Sequence, residues 1–250
     1  MTGVMIVAHR GASEVCPENT LTAFRRAIEL GTDGIEFDVQ ATGDGRLIVI
    51  HDLSLERTTN GHGPVFAADF DEVRALDAGS WFGAEHAGER VPMLSEVLSL
   101  GDVEFELELK GYGEAFIDGI LDEVRRAGVL GRVEFTGSNV ALLLLLKRKE
   151  PSAVIGMFST QQPMWMTDEV FERHVAGVAE TSGADVVHVH ARCITPRITE
   201  RLHQLGKVVH GNDAANEADV HRVLAAGADR LSTGDVALAA NLVRTGRPRI

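Results

Sequence analysis

Short apolar runs recur along the whole chain, and most are separated by segments with helical periodicity. Runs of about four to eight residues rich in Val, Ile and Leu are typical of buried strands. The pattern predicts strands over 4–8, 34–39, 47–50, 103–109, 133–136, 153–158, 185–190, 207–210 and 230–232. Apolar positions three and four residues apart predict helices over 20–30, 114–127, 195–205 and 219–226. This alternation indicates an α/β protein.

A glycine followed two residues later by an aspartate recurs between a predicted helix and the next predicted strand. The three copies are Gly31-Thr32-Asp33, Gly183-Ala184-Asp185 and Gly227-Ala228-Asp229. Glycine commonly ends helices because it adopts the left-handed conformation without steric cost. The repetition favours successive βα units around a parallel sheet.

One connection is too short for a helix, because the strand that follows Asp38 begins again at Leu47. The Asp44-Gly45 pair between them predicts a β-hairpin. A two-residue turn at this pair would place Asp38 directly opposite His51, on the same face of the hairpin. Without the return arm of the hairpin, eight strands remain, which predicts a (β/α)8 TIM barrel.

The chain of 250 residues has the usual length of a single α/β barrel. We therefore expect one domain over 1–250. The segment 53–100 lacks a regular βα rhythm and is rich in glycine and polar residues. We interpret it as a small insertion above the barrel mouth.

Composition narrows the range of partners and locations. The formal net charge of −13 argues against nucleic acid as a partner and against broad attraction to anionic membranes. The longest apolar run, 141–146, is too short for stable membrane insertion, and no signal peptide is expected. Cys16 and Cys193 form no disulfide framework, which fits a cytoplasmic location. The sequence makes no prediction of oligomeric state.

Ionisable residues are concentrated at the ends of the first predicted strands. His9 and Arg10 follow one apolar run, Glu36 and Asp38 end the next, and His51 ends the hairpin. Ionised groups are costly in a buried position unless they bind a ligand or each other. Because barrel active sites form at the carboxyl ends of the strands, we expect these residues to share one site.

The next barrel strand ends with Glu108 and Lys110, which alternation places on one face. Carboxylates that converge at the barrel mouth would suit Mg²⁺ or Ca²⁺. Flanking histidines can transfer protons near neutral pH, and Arg10 and Lys110 can hold phosphate oxygens. The residues alone therefore indicate metal- and phosphate-directed chemistry on a small-molecule substrate.

The chain resembles the glycerophosphodiester phosphodiesterase family. The matching stretches fall in the first 110 residues, in the order and spacing of the family. They are His9-Arg10-Gly11, Pro17-Glu18-Asn19-Thr20, Glu36-Phe37-Asp38-Val39, Thr42-Gly43-Asp44-Gly45, His51-Asp52, Arg57-Thr58-Thr59-Asn60-Gly61, Val91-Pro92-Met93-Leu94 and Glu108-Leu109-Lys110. The second half of the chain matches only loosely.

The resemblance implies a TIM barrel that hydrolyses glycerophosphodiesters to glycerol phosphate and an alcohol. It implies that His9 and His51 are the acid and base of catalysis. It also implies a divalent metal on Glu36, Asp38 and Glu108, and phosphate binding by Arg10 and Lys110, with Glu18 in a loop that touches the site.

The second half departs from the family pattern at three histidines. His188 and His190 end one predicted strand, and His210 stands where the family often has tryptophan. We predict substrate binding by these residues and a preferred alcohol that differs from the simplest family substrates. Ordinary hydrogen bonding in the barrel mouth and a second metal site are the alternatives.

Other functions remain open on the same barrel. One alternative is a phospholipase-D-like enzyme or a lyase that leaves a cyclic phosphate, for which Met164-Trp165-Met166 and Trp81-Phe82 could form an apolar rim. Another alternative is a non-catalytic protein that binds a phosphate ligand.

Overall fold

Eight parallel strands form a closed barrel, which confirms the predicted (β/α)8 class. The computed structural model describes residues 3–245. The strands are β1 Met5–Ala8, β2 Gly34–Ala41, β3 Leu47–Val49, β4 Glu104–Leu109, β5 Val133–Gly137, β6 Val154–Phe158, β7 Val186–His190, β8 Val208–Asn212 and β9 Arg230–Thr233. The sheet order is β1-β9-β8-β7-β6-β5-β4-β2-β3, and pairing of β1 with β2 closes the barrel. Only β3 is antiparallel, and it lies outside the ring beside β2.

Each predicted strand is present, with both ends within two residues of their expected positions. The helices are α1 Leu21–Glu29, α2 Phe70–Ala75, α3 Leu94–Leu98, α4 Glu114–Ala127, α5 Val140–Lys149, α6 Asp168–Ser182, α7 Pro196–Gln204, α8 Glu217–Ala226 and α9 Val236–Thr245. The outer faces of the strands pack against these helices through a core that includes Phe37, Phe105 and Phe135. Burial of such apolar surface is the main force that holds the helices to the barrel.

The repeated glycine and aspartate pairs join helices to strands as predicted. Gly183 and Gly227 end α6 and α8 with left-handed backbones, at φ 65° and 75°. The aspartate two residues later then accepts a hydrogen bond from a neighbouring strand. Asp185 accepts from the Ile155 N–H at 3.0 Å, and Asp229 accepts from the Val209 N–H at 2.8 Å. Each pair therefore ends a helix and also ties the next strand to its neighbour.

The hairpin between β2 and β3 is present, but its predicted register is wrong by one residue. Ala41 pairs with Leu47 and Val39 pairs with Val49. The Thr42 N–H donates to the Arg46 carbonyl, so the loop contains three residues, and Gly45 adopts φ +82°. Three-residue loops with a left-handed third residue are a common hairpin type. As a result the backbone carbonyl of Asp38 accepts from the Ile50 N–H at 3.0 Å, and His51 is not directly opposite Asp38.

The segment between β3 and β4 holds only short helices. It contains α2, α3 and two single 3₁₀ turns, at Val65–Ala67 and Ala84–His86. Ile48, Val65 and Val73 belong to a small apolar cluster on this side of the barrel. The division into one domain with an insertion over 53–100 stays a prediction.

Among residues 3–245, no helix combines the length and the apolar character that crossing a bilayer requires.

Candidate active site

A cavity of about 490 Å³ opens at the carboxyl ends of the barrel strands. Its walls come from β2, β4, β6, β8 and β9 and from the loops that follow β1, β3, β5 and β8. The lining residues are His9, Arg10, Glu36, His51, Glu106, Glu108, Ser138, Phe158, Asn212, Asp213 and Ser232. Five of the eleven residues that we predicted for the site line this cavity, namely His9, Arg10, Glu36, His51 and Glu108.

Three carboxylates converge at this cavity from two adjacent strands. Glu36 and Asp38 are two residues apart on β2, so both face the same side of the strand. Asp38 is in register with Glu108 on β4. One oxygen from each of the three carboxylates lies within 4.8 Å of the others. Such a cluster of oxygen atoms suits a hard divalent cation.

The charges of two of the three carboxylates, Glu36 and Glu108, are poorly compensated by the protein alone. Burial raises the pKa of Glu36 well above its ordinary value, and Asp38 adds to the effect. Burial and Asp38 also raise the pKa of Glu108 to about 7. Asp38 Oδ1 is buried and accepts no hydrogen bond. A divalent cation would compensate the repulsion and fill this position, so the residues present fit the metal that the sequence predicts.

Arg10 and Lys110 bring positive charge to the same carboxylates. Arg10 Nε lies 3.4 Å from Asp38 Oδ2, and Lys110 Nζ lies 3.3 Å from Asp38 Oδ1. Burial raises the pKa of Asp38, but Lys110 and Arg10 outweigh burial and hold that pKa below its ordinary value. Lys110 Nζ also lies 2.6 Å from Glu108 Oε1. Both cations are only partly buried. Arg10 lines this cavity, and Lys110 lines an adjoining cavity that shares His51 and Glu108.

Strained backbone is concentrated at this site. In residues 3–245, the non-glycine residues with positive φ are Arg10, Asn19 and Asp213, at 55°, 57° and 58°. The Arg10 N–H donates to Glu36 Oε2 at 2.9 Å, and the Asn19 N–H donates to the Arg10 carbonyl at 3.0 Å. Backbone conformations of this kind cost on the order of 1–3 kcal/mol and are often retained where function needs them.

His9 faces two carboxylates across the cavity. Its Nε2 lies 3.8 Å from Glu36 Oε2 and 3.5 Å from Asp213 Oδ1. Burial lowers the pKa of His9 below its ordinary value, although Asp213 opposes the effect. Sequence reasoning missed Asp213, since its only signal is a position just beyond a strand end.

His51 reaches the cavity because the chain leaves β3 and bends back toward the barrel mouth. The side-chain amide of Gln40 donates to the carbonyls of Ile50, His51 and Asp52 at 2.6–3.0 Å. Gln40 was also missed. Its signal is the strand alternation that places it on the same face as Glu36 and Asp38.

Asp52 orients His51 and is itself held by Arg57. His51 Nδ1 lies 2.7 Å from Asp52 Oδ1, and Arg57 donates to both oxygens of Asp52 at 2.6 and 2.9 Å. The hydrogen bonds from Arg57 hold the pKa of Asp52 below its ordinary value, against the effect of burial. An ionised Asp52 accepts the Nδ1 proton, so His51 Nε2 is the nitrogen free to exchange protons.

Glu18 connects Arg57 to Arg10 through hydrogen bonds, and it is not among the residues that line the cavity. Arg57 donates two hydrogen bonds of 2.8 Å to Glu18, and Arg10 Nη1 donates a third at 3.0 Å. Glu18 therefore joins the loop after β1 to the loop after β3. Its predicted contact with substrate stays a prediction.

The three histidines of the second half do not share one environment. His188 and His210 are fully buried inside the barrel, below the cavity. His190 is partly exposed, and its Nδ1 accepts the Arg192 N–H at 3.1 Å. The role in substrate binding that we predicted for these histidines stays a prediction.

Comparisons with known proteins agree with the site and the barrel. A sequence model of the glycerophosphoryl diester phosphodiesterase family matches residues 9–238. The chain is 37% identical to a glycerophosphodiester phosphodiesterase of Caldanaerobacter subterraneus subsp. tengcongensis, over 97% of this chain and 98% of that protein. It is 29% identical to a glycerophosphodiester phosphodiesterase of Bacillus subtilis, over 88% of this chain and 80% of that protein. The crystal structure of a glycerophosphodiester phosphodiesterase from Agrobacterium tumefaciens superimposes with a TM-score of 0.80 at 28% identity, over 95% of this chain and 99% of that one.

Proposed function

The chain belongs to the glycerophosphoryl diester phosphodiesterase family, and from this premise we propose how its site hydrolyses glycerophosphodiesters to glycerol phosphate and an alcohol. The observation that carries the proposal is the cavity at the barrel mouth. His9, His51, Glu36, Glu108 and Arg10 line a space that fits a small phosphodiester, and Asp38 and Lys110 lie directly beside Glu108.

Glu36, Asp38 and Glu108 would hold the divalent cation, which we propose to be Mg²⁺ or Ca²⁺ because all their donor atoms are oxygens. When bound, the cation supplies positive charge that stabilises the transition state of phosphodiester cleavage. Asn19 and the Arg10 N–H hold Asp38 and Glu36 in place through hydrogen bonds of 2.8 and 2.9 Å. Such supporting bonds orient metal ligands and raise metal affinity.

Arg10 and Lys110 bind the phosphoryl oxygens, which are otherwise repelled by the acidic site. Their contacts with Asp38 and Glu108 keep both side chains at the cavity wall. Arginine suits this role because its guanidinium can bind two oxygens of one phosphate. The two cations also stabilise the charge that develops on the phosphate during attack.

His9 and His51 transfer the two protons of the reaction. A water oxygen, or the neighbouring hydroxyl of the glycerol, forms a bond to phosphorus as the phosphorus bond to the alcohol oxygen breaks. His9 accepts the proton of the attacking oxygen. His51 donates a proton to the leaving oxygen, because the neighbouring Asp52 stabilises its protonated ring at 2.7 Å.

A phospholipase-D-like or cyclising reaction on a larger lipid substrate is the second candidate. A second cavity of about 450 Å³ shares His51 and Glu108 with the active site and continues along Lys110 to Leu53 and Tyr112. The side chains of Leu53 and Tyr112 are exposed, and so are those of Met164 and Trp165 in the loop after β6. Exposed apolar groups beside a site favour an apolar part of the substrate.

The test is hydrolysis of a panel of glycerophosphodiesters that runs from small polar alcohols to lysophospholipids. We expect turnover that EDTA abolishes and that Mg²⁺ or Ca²⁺ restores. A ³¹P NMR time course distinguishes glycerol phosphate from a cyclic phosphate as the first product. Metal-independent binding of the diesters without turnover would instead support a non-catalytic phosphate-binding protein.

The cytoplasmic location inferred from the cysteine content stays a prediction.

A further inference from the structure

Below the active site, the barrel interior holds a second cluster of ionisable side chains. Glu106 on β4, Glu134 on β5, His188 on β7 and His210 on β8 all point inward, and each is at most 4% exposed. Barrel interiors are usually filled by branched apolar residues. The proton transfer and phosphate binding proposed above use none of these four residues.

Glu106, His188 and His210 are spaced like ligands of one metal ion. His188 Nδ1 lies 3.6 Å from Glu106 Oε1, and His210 Nδ1 lies 3.2 Å from Glu106 Oε2. One ligand atom from each of the three residues lies within 4.8 Å of the others. Ligands about 2.1 Å from a tetrahedral zinc ion are about 3.4 Å apart, so these separations match such a site closely.

The atoms that face one another lack hydrogen-bond partners among the described residues. Glu106 Oε2, His188 Nδ1 and both ring nitrogens of His210 are buried and make no hydrogen bond. A buried polar group without a partner is uncommon and costs about 1–3 kcal/mol. In residues 3–245, Glu106 also forms no ion pair with a lysine or arginine. A cation between the three residues would satisfy these atoms together.

A second layer of residues orients His188 as metal-binding histidines are usually oriented. His188 Nε2 lies 2.6 Å from Glu134 Oε1, and Arg230 donates to Glu134 Oε2 at 2.6 Å. A carboxylate that accepts the Nε2 proton leaves the Nδ1 lone pair free for a metal. His188 also stacks on His210, with ring centroids 4.4 Å apart.

Gly156 on β6 leaves space for the side chains of Glu134 and His188. A Cβ atom at Gly156 would overlap Glu134 Oε1 and would come within 2.8 Å of His188 Nε2. A side chain at that position would therefore displace the carboxylate that orients His188. The space for the interior cluster therefore depends on a residue from a fifth strand, β6.

We propose that Glu106, His188 and His210 bind one divalent transition-metal ion of the zinc class inside the barrel. Two imidazoles and one carboxylate suit Zn²⁺ and Co²⁺ better than Mg²⁺ or Ca²⁺, which prefer oxygen ligands. The interior ion would tie β4, β7 and β8 together and offset the charge of Glu106. Glu106 also lines both the active-site cavity and a cavity of about 110 Å³ at the opposite end of the barrel, so an ion has access to the site.

The experiment titrates Co²⁺ into the full-length, chelator-treated protein with Mg²⁺ in excess. The Asp38→Asn variant, which weakens the carboxylate site, is titrated in the same way. We expect one Co²⁺ per chain with visible absorption bands typical of nitrogen ligation, retained in Asp38→Asn. His210→Phe keeps an aromatic ring against His188, and Glu106→Gln keeps the side-chain shape. Each should weaken Co²⁺ binding at least about 10-fold, because each removes a ligand.

His190→Asn is the matched control, because His190 lies on the same strand as His188 but is not part of the cluster, and its Nδ1 accepts the Arg192 N–H. This variant should bind Co²⁺ as the wild type does. Circular dichroism establishes that each variant folds. Histidine ring signals of the wild-type protein in NMR give a second measurement, since Zn²⁺ should shift those of His188 and His210. Absence of a Co²⁺ site with these absorption bands in the wild type, measured in excess Mg²⁺, would overturn the proposal. Unchanged Co²⁺ binding in both His210→Phe and Glu106→Gln, or ring signals that Zn²⁺ leaves unmoved, would overturn it as well.

Discussion

The side-chain amide of Asn19 donates a hydrogen bond to Asp38 Oδ2 at 2.8 Å. Asn19 is buried and has a left-handed backbone at φ 57°, which asparagine tolerates better than most residues. The loop after β1 therefore holds a carboxylate of β2 in a defined orientation. This contact connects the conformation of one loop to the affinity of the proposed metal site.

Replacing Asn19 should weaken metal binding without removing a ligand. We expect Asn19→Ala to lower Mg²⁺ or Ca²⁺ affinity by about 10–100-fold, because Asp38 loses the bond that orients it. Isothermal titration calorimetry on the chelator-treated protein measures this. Asn139→Ala, which removes a helix cap on α5, is the control and should leave the affinity unchanged. Equal affinities in Asn19→Ala and the wild type would contradict the proposed support.

Loss of either cavity histidine should reduce turnover far more than substrate binding. We expect His9→Ala and His51→Ala each to lower kcat by about 10²–10⁴-fold, because each removes a proton-transfer group. Steady-state kinetics on the preferred diester measures the change in kcat against KM. His221→Ala on the exposed face of α8 is the control. Full activity in either cavity variant would rule out that histidine as acid or base.

Arg57 should act through Asp52 and His51 and not through the phosphate. Arg57→Ala removes the hydrogen bonds to Asp52 and Glu18, and we expect kcat to fall by about 10-fold with little change in KM. Arg57→Lys should not restore the rate, since lysine cannot donate the paired hydrogen bonds. In the Arg57→Ala, His51→Ala double variant the loss should equal that of His51→Ala alone. If the losses in kcat of the two single variants instead add up in the double variant, Arg57 does not act through His51.

Metal affinity should increase with pH through neutrality. The pKa of Glu108 is raised to about 7, so below that pH the carboxyl is protonated and must release its proton to bind a cation. We expect the affinity for Mg²⁺ to rise by up to about tenfold per unit between pH 6 and pH 7 and to level off above. Titrations in buffers of different ionisation enthalpy measure the released proton. A Mg²⁺ affinity that does not change from pH 6 to pH 8 would contradict the proposed role of Glu108 as a metal ligand.

The raised pKa of Glu108 also determines how the stability of the metal-free protein changes with pH. Glu108 binds its proton more tightly in the folded chain than in the unfolded chain, where the pKa is near 4.5. In metal-free protein its contribution to stability is therefore present below about pH 4.5 and is lost as the pH rises to about 7. Bound metal should reverse this trend above pH 7, because it favours the ionised carboxylate. Thermal unfolding at several pH values, with and without Mg²⁺, measures both effects.

Gly156 should be sensitive to the smallest substitution. Gly156→Ala would push against Glu134 and His188, and we expect it to lower the free energy of unfolding by about 1–3 kcal/mol. It should also weaken Co²⁺ binding at the interior cluster. Gly137→Ala on β5 is a matched control, because a Cβ there has no contact closer than 3.7 Å. Chemical denaturation of both variants makes the comparison, and equal stabilities would contradict the tight packing at Gly156.

Much of the barrel is visible in the local pattern of the chain. The strands follow from short apolar runs, and the helix-to-strand loops follow from the repeated glycine and aspartate. The carboxylates Glu36, Asp38 and Glu108 could be grouped because alternation along a strand is a local rule. The register of the hairpin could not be predicted, since a two-residue and a three-residue loop both suit the residues around Gly45.

The sequence by itself determined the fold class, the approximate strand ends and the presence of histidines, carboxylates and cations at the barrel mouth. These depend on contacts within a few residues or between adjacent strands. The roles of these residues in proton transfer, metal binding and phosphate binding stay predictions. Only the tertiary structure decided that Asp213 faces His9, that Gln40 holds the chain before His51, and that His188 and His210 meet Glu106 in the interior. Those contacts join strands and loops far apart in the chain, and their geometry is set by the closure of the barrel.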